Sequence, residues 1–239
     1  MTQAKPLTAA DSAPQPVAPI VRRAALIAGL GLLAMIILAP FANFYVLESL
    51  IVPGDAPATT ANLMASPGLL RMGIAAFLVV VLLDVVVAWA LYDLLAPVSQ
   101  TGARLAAWFR VAYAAVYAVA LAPLLSALRL TAELDYLTTL DPAILQAQVM
   151  LALNGFSNIW NLGLTLFGVH LLIVGALVMR SNTIPRWAGV AVAVAGLGYL
   201  VDTFGRLLLP TADLGFLMIT FFGEALFMVW LLWHGLRRS

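Results

Sequence analysis

Six apolar stretches, each long enough to cross a bilayer, make up most of the chain, and ionisable side chains lie well inside five of them. These side chains are Asp84, Arg110, His170, Asp202 and Glu224, with Arg206 one helical turn beyond Asp202. A charge in hydrocarbon costs several kcal/mol even on lenient insertion scales, so such residues usually face one another or a wet cavity. The sequence therefore predicts an all-α integral membrane bundle and a short set of candidate functional residues.

The composition excludes several classes of protein. The chain is 64% hydrophobic and 10% charged, whereas an average soluble domain is about 25% charged. A net charge of +1 with scattered arginines excludes a basic nucleic-acid-binding face. The absence of cysteine excludes disulfides, thiolate metal sites and cysteine nucleophiles. We expect the lipid bilayer and a small solute or proton as partners, with no cofactor, and the sequence leaves the oligomeric state open.

The chain divides into a tail and one membrane domain. Residues 1–21 are rich in Ala, Pro and polar residues, which is typical of a disordered tail. Residues 22–239 form a single six-span domain, because about 20 apolar residues are needed for each crossing. The predicted crossings are 24–46, 70–93, 105–128, 157–179, 187–209 and 215–236. A signal peptide ending at LAPFA is the alternative for the first run, and a retained span is the simpler interpretation.

The distribution of positive charge predicts the orientation. The basic residues that share one side of this arrangement are Lys5, Arg22, Arg23, Arg104, Arg180, Arg186, Arg237 and Arg238. The opposite loops carry one clear arginine, Arg129, against five acidic residues, which are Glu48, Asp55, Glu133, Asp135 and Asp141. Because cytoplasmic loops are enriched in Lys and Arg, we expect both termini in the cytoplasm and the protein in the cell inner membrane.

The fourth helix is predicted to be unusually long. A helix from Pro142 to Met179 would span roughly 57 Å, nearly twice the hydrocarbon thickness of about 30 Å. We expect it to protrude, tilt or break, with Gly155 and Gly163 as the break points. Capping residues before prolines, Asp141-Pro142 and Ser66-Pro67, predict the starts of two helices.

Three polar residues are predicted at an inner level of the membrane. Asp84 and Arg110 lie on the second and third spans, which a short loop joins and which should pack antiparallel. We expect these two residues to form a structural ion pair. His170 is expected to be a hydrogen-bonded packing residue, and a proton carrier or a ligand-binding residue are the alternatives.

A second polar level is predicted nearer the outer side. Asp202 and Arg206 are four residues apart with the acid first, which is a favourable helical pair. Glu224 has no cation of its own, so it should be protonated, share Arg206, or hold a cation or basic ligand. Asn161 and Tyr199 are its expected neighbours. In the alternative interpretation, Glu224 is protonated and hydrogen-bonded across helices, and only tightens the bundle.

Enzymatic readings have weaker support. The chain has no GxSxG, HExxH or phosphate-binding glycine loop. A zinc site would have to combine one histidine, His170, with carboxylates from separate helices, and this is a poor set of zinc ligands. A hydrolase would need Ser126 or Ser157 beside His170, and both serines lie toward the outer end. We therefore predict no catalytic residue and no metal site.

Three stretches of the sequence carry a family resemblance. They are VPGDAPATTANLMASPGLLR (52–71), LLDVVVAWALYDLLAPVSQTGARLAAWFR (82–110) and LFGVHLLIVGALVMRSNTIPRWAGVAVAVAGLGYLVDTF (166–204). In their order they resemble a family of bacterial polytopic membrane proteins, the domain of unknown function four-three-eight-six. The resemblance runs from about Arg22 to Leu236. It implies a six-helix integral membrane fold and supplies neither a function nor catalytic residues.

The leading functional hypothesis is a polytopic inner-membrane protein that binds or translocates a small solute or proton through the carboxylates of Asp202 and Glu224. The competing hypothesis is a non-catalytic membrane scaffold whose buried polar residues serve packing. An intramembrane hydrolase is the third. A water-filled cavity that reaches Glu224 would favour the first hypothesis, and a dry, fully paired core would favour the second.

Overall fold

The computed structural model describes residues 19–132, 139–209 and 221–236, and these ranges contain helices and no strand. The helices are α1 (Pro19–Pro40), α2 (Ala56–Ala65), α3 (Pro67–Leu95), α4 (Gln100–Leu130), α5 (Pro142–Arg180), α6 (Arg186–Leu208) and α7 (Phe222–Leu236). The first helix continues without a loop through a π-helix, Phe41–Leu47, and a last α-helical turn, Glu48–Leu50. The prediction of an all-α fold is confirmed.

Five helical segments are long and apolar enough to cross a bilayer: the continuous segment ending at Leu50, and α3, α4, α5 and α6. The chain is therefore a multi-pass membrane protein. The described part of α7 has 15 residues, about 22 Å of helix, which is shorter than a hydrocarbon core of about 30 Å. A sixth crossing and the cytoplasmic termini stay predictions. The predicted start of that crossing and most of the N-terminal tail lie outside the described residues, as do Glu133, Asp135, Arg237 and Arg238.

The helix starts follow from local capping chemistry, although not always as predicted. Asp141 caps α5, because its side chain accepts a 2.8 Å hydrogen bond from the backbone N–H of Ala143. Pro67 opens α3, but the Ser66 side chain makes no capping bond. The helix α2 was not predicted at all. Its signature resembles that of α5, since Asp55 accepts a 2.8 Å bond from the N–H of Ala58 and a proline stands in the first turn.

The long fourth span is a single helix. It runs unbroken through 39 residues, about 58 Å, so the predicted break at Gly155 or Gly163 was wrong. These glycines serve packing against α4. A Cβ at Gly155 would meet Pro123 at 3.4 Å, and one at Gly163 would meet Val116 at 3.2 Å. Because the helix is longer than the bilayer is thick, it must tilt or extend beyond it.

The six longer helices pack in a ring that follows their order in the chain. Each of α1, α3, α4, α5, α6 and α7 contacts the next, and α7 closes the ring against α1. The short α2 lies against α5. The contact between α7 and α1 includes a hydrogen bond, in which Nε of Arg22 donates to the carbonyl of Gly235 at 3.1 Å. The ring encloses the region where the ionisable side chains meet.

Glycines bring α5 and α6 into backbone contact. A Cβ built on Gly175 would lie 2.7 Å from the carbonyl oxygen of Gly189, and one on Gly196 would lie 2.7 Å from that of Gly168. Small residues at such positions allow membrane helices to approach closely. The position of α6, which carries part of the polar set, therefore depends on these glycines.

We expect Gly175→Ala to lower the free energy of unfolding by about 1–3 kcal/mol, because the methyl group meets backbone atoms that cannot move aside. The measurement is a thermal melt of the detergent-solubilised protein. Gly68→Ala is the matched control, since a Cβ at Gly68 meets nothing within 4 Å. Equal melting temperatures for the two variants would show that the close α5–α6 contact does not exist.

Exposed tryptophans gather toward one end of the ring. The four that are more than half exposed are Trp89, Trp108, Trp187 and Trp233. Each lies on the last two turns, or the first three, of a helix at the end where Arg104 and Arg186 are found. Tryptophan is enriched at membrane–water interfaces. This end of the ring therefore has the composition of an interfacial belt.

Candidate intramembrane binding site

A cavity of about 480 Å³ occupies the interior of the ring, and all six ring helices contribute to its wall. Most of the lining is apolar. The polar or charged side chains among the described lining residues are Asn43, Glu48, Arg110, Tyr113, Tyr117, Trp160, Asn161, Tyr199, Asp202, Arg206 and Glu224. This size and composition match those of pockets that bind small molecules, which are mainly apolar with a few placed polar groups.

Arg110 lies at the buried end of this cavity. Its side chain is 1% exposed, and its Nη2 lies 2.8 Å from Oδ1 of Asp84, which is fully buried. The contact is an ion pair by distance, but its angles are not those of a hydrogen bond. The guanidinium also lies over the Phe167 ring, 5.2 Å from its centroid. Asp84 and Arg110 thus meet in the way the sequence analysis expected of a structural pair.

His170 is held in one tautomer beside Arg110. Its Nδ1 lies 2.8 Å from the carbonyl oxygen of Ala106, which can only accept, so Nδ1 carries the hydrogen. Its Nε2 is 3.3 Å from Nη1 of Arg110, which can only donate, so Nε2 accepts. A second ring proton would point at the guanidinium. This geometry fits a neutral packing histidine, and the alternative roles as a proton carrier or a ligand-binding residue stay predictions.

Glu224 lies at the same buried end, on the first turn of α7. Its side chain is 9% exposed, and Oε1 has no hydrogen-bond partner among the described residues. The Tyr199 side chain is a near neighbour of the carboxyl. The described part of the chain contains no ion pair of Glu224. The acid therefore lines the cavity with one oxygen unpaired.

The other end of the cavity is exposed and contains a second ion pair. Nε of Arg206 lies 2.9 Å from Oδ2 of Asp202, with the arginine 54% and the aspartate 18% exposed. Glu48 and Asn43 line the cavity at this end from the continuation of α1, and Asn161 lines it from α5. The Asp202–Arg206 pair was expected. The pair lies at the exposed end, or mouth, of the cavity, and Glu224 therefore lies deeper in the cavity than this pair.

The structure replaces the two predicted polar levels with one continuous site. Arg110 and Glu224 both line the main cavity, and both also line a second, small cavity with His170. That second space is about 10 Å³, close to the volume that one water requires. The sequence analysis predicted different depths in the membrane for Glu224 and Arg110, because it estimated depth by counting residues from the end of each helix. That estimate ignores helix tilt and the different depths at which helices end.

Aromatic rings line one wall of the cavity. Tyr113 lies 4.8 Å from Phe167 between ring centroids, and Phe167 lies 5.4 Å from Tyr199. Trp160 donates a 3.1 Å hydrogen bond from Nε1 to the Tyr113 hydroxyl. Tyr117 packs between Tyr113 and Trp160. The sequence analysis did not identify Trp160 and Phe167, because aromatic residues in apolar runs do not reveal which way they face.

The π-helix at the end of α1 is another part of the site that was missed. Its backbone bonds run to the fifth residue back, as from the N–H of Glu48 to the carbonyl of Asn43. Such segments are rare and often occur at functional sites. Pro40, which lies inside the helix and lacks an N–H, is the one local signal that could have indicated it.

The residues that the hydrolase hypothesis requires are not brought together in the described part of the chain. Ser126 is exposed and donates its hydroxyl to the carbonyl of Ala122, and Ser157 is also exposed. Both nitrogens of His170 are engaged elsewhere. Within the described residues no three His, Asp or Glu side chains group as metal ligands.

Comparison with known proteins decides the family. The profile described as "Domain of unknown function (DUF4386)" matches residues 27–235. The chain belongs to this family. A relative from Archaeoglobus fulgidus, named "Uncharacterized protein", is 34% identical over 166 residues, which are 70% of this chain and 85% of the relative. No solved structure matches the chain. The match confirms the resemblance seen in the sequence, and neither the family nor this relative has an assigned activity.

Proposed function

We propose that this DUF4386 protein binds a small solute or a proton in its intramembrane cavity and translocates it across the membrane. One observation carries the proposal. Among the described residues, four have buried side-chain polar atoms without a hydrogen-bond partner, and three of the four, Arg110, Asp202 and Glu224, line the cavity. Such atoms are rare in folded proteins and require a partner such as water, an ion or a ligand.

The shape of the cavity supports a route as well as a site. It extends from the half-exposed Arg206 to the buried Arg110. Beyond Arg110, the small second cavity is bordered by apolar side chains, which include Leu91, Leu171 and Phe227. Passage to the far side would require these residues to separate. In the predicted orientation the mouth faces outward, toward the side opposite the arginine-rich loops.

The scaffold hypothesis also has an observation in its favour. Asp84, Arg110 and His170 are all at most 1% exposed and form a compact group through one ion pair and one hydrogen bond. That group alone would serve packing. It does not explain the unpaired Oε1 of Glu224 or a cavity of about 480 Å³ beside it, so we rank binding first.

Cysteine labelling tests whether the cavity holds water, because the natural chain contains no cysteine. Asn161 lines the cavity, whereas the next residue, Leu162, is 60% exposed on the outer surface of the same helix. In proteoliposomes, Asn161→Cys should react with a sulfonated maleimide at least about tenfold faster than Leu162→Cys, because only a hydrated thiol ionises readily.

Both variants should react fully after denaturation in SDS, which controls for the presence of the thiol. If neither reacts in the membrane, the core is dry and the scaffold hypothesis replaces this proposal. If both react equally, Asn161 does not face a separate wet cavity, and the proposal is again wrong.

A further inference from the structure

We propose that the ligand is an organic cation with an apolar body, and that it and a proton occupy Glu224 alternately. The inference rests on the proposed function and specifies its substrate class. Its starting point is geometric: a buried glutamate with one unpaired oxygen faces a largely apolar cavity. The proton and the cation would then be exchanged for each other.

The charges around the cavity determine which sign of charge on the ligand is favoured. Asp84 cancels Arg110, and Asp202 cancels Arg206. His170 is neutral in the tautomer that its two contacts define. Among the described residues, Glu224 remains as one uncompensated acid at the buried end. A buried charge is stable only when paired, so a proton or a cation restores neutrality there, while an anionic ligand would add a second negative charge.

Charged or titratable groups face Glu224 from every helix that packs around it. Within the part of the chain that the structure describes, they are Glu48 at the end of α1, Asp84 on α3, Arg110, Tyr113 and Tyr117 on α4, His170 on α5, and Tyr199, Asp202 and Arg206 on α6. Glu48 is exposed at the mouth, where water screens it. It adds a negative charge and therefore favours the entry of a cation.

The remaining wall favours an apolar, cationic body over a bare metal ion. Among the described residues, no three His, Asp or Glu side chains group together as metal ligands, whereas hard metal cations take six or more oxygen ligands. The rings of Tyr113, Tyr117, Trp160 and Tyr199 line the cavity, and aromatic faces attract organic cations. Phe167 is already covered by the Arg110 guanidinium. Arg110 also excludes a cation from its own side of the cavity, which directs the charged group toward Glu224.

Three probes that share one shape and differ in charge test which sign of charge the cavity prefers. Benzyltrimethylammonium, neopentylbenzene and phenylmethanesulfonate share a benzyl group and a tetrahedral head, and they are cationic, neutral and anionic. Calorimetric titration of the detergent-solubilised full chain should give at least about tenfold tighter binding of the cation than of the neutral probe. The cation cannot itself lose a proton, so about one proton released for each cation bound would come from the protein.

Glu224→Gln should reduce the affinity for the cation to that for the neutral probe and abolish the proton release. Its affinity for the neutral probe should stay as in the wild type, which shows that the cavity is intact. Asp93→Asn, which removes a carboxylate at the far end of α3, is the control and should bind all three probes as the wild type does.

The comparison of probes on the wild-type protein needs no variant to fold. Equal affinity for the cationic and neutral probes, tightest binding of the anion, or binding of none of the three would each overturn this inference. The proposed function would survive any of these results if Asn161→Cys is labelled and Leu162→Cys is not. Failure of that labelling pattern would overturn the proposed function itself.

Discussion

Replacing Asp84 by Ala should lower the free energy of unfolding by about 3–5 kcal/mol, because it leaves a buried guanidinium without its counter-ion. The Arg110 side chain is 1% exposed and its Nη2 lies 2.8 Å from the carboxylate. Arg110→Ala should destabilise the protein by at least as much. It strands the Asp84 carboxylate and also removes the donor to Nε2 of His170. Thermal melts in detergent measure both effects.

The double variant Asp84→Leu/Arg110→Met should recover much of the lost stability, since no unpaired charge then remains in the core. Asp93→Ala is the matched control on α3, because Asp93 is only half-buried, and it should change the melting temperature little. A double variant no more stable than the single variants would show that Asp84 and Arg110 are not energetic partners.

Glu224→Gln should leave the stability unchanged or raise it, and should abolish the response of the protein to cations and to pH. The amide keeps the shape and the contact with Tyr199, while it removes a buried carboxylate that has no ion pair within the described residues. If a substitution leaves the stability of the fold unchanged but abolishes ligand binding, the original residue serves function and not folding.

Glu224→Ala should behave differently. It removes the side chain that reaches Tyr199 and enlarges the cavity, so we expect a loss of about 1–3 kcal/mol. Thermal melts and probe titrations on the same preparations compare the two variants. If Glu224→Gln is destabilised as strongly as Glu224→Ala, and its ligand and pH responses equal those of the wild type, Glu224 has a structural role.

Much of the fold could be predicted from the sequence, because bilayer thickness imposes a length on each apolar run. The start of α5 at Pro142 followed from the Asp141-Pro142 pair, and α6 was predicted within one residue at each end. Predictions from local sequence failed where packing between helices determines the structure. Gly155 and Gly163 do not break α5, because they serve its packing on α4.

The candidate site could be predicted in its residues but less well in its arrangement. Charged residues stand out in an apolar sequence, so Arg110, Asp202, Arg206 and Glu224, which line the cavity, were all named as candidates. Their distances from one another depend on how six helices tilt and close into a ring. The pattern along one helix contains no information on that closure, and the cavity that joins Arg110 to Glu224 was therefore not foreseen.

Difference infrared spectroscopy of the carboxyl groups tests the central claim, that Glu224 is the binding carboxyl of an accessible cavity. The account predicts a protonated-carboxyl band that is present in the wild type and lost in Glu224→Gln. In the wild type that band should weaken when benzyltrimethylammonium is added, and it should change between about pH 5 and pH 9. If no band is lost on substitution, and none responds to the cation or to pH, Glu224 is not the binding carboxyl and the account is wrong.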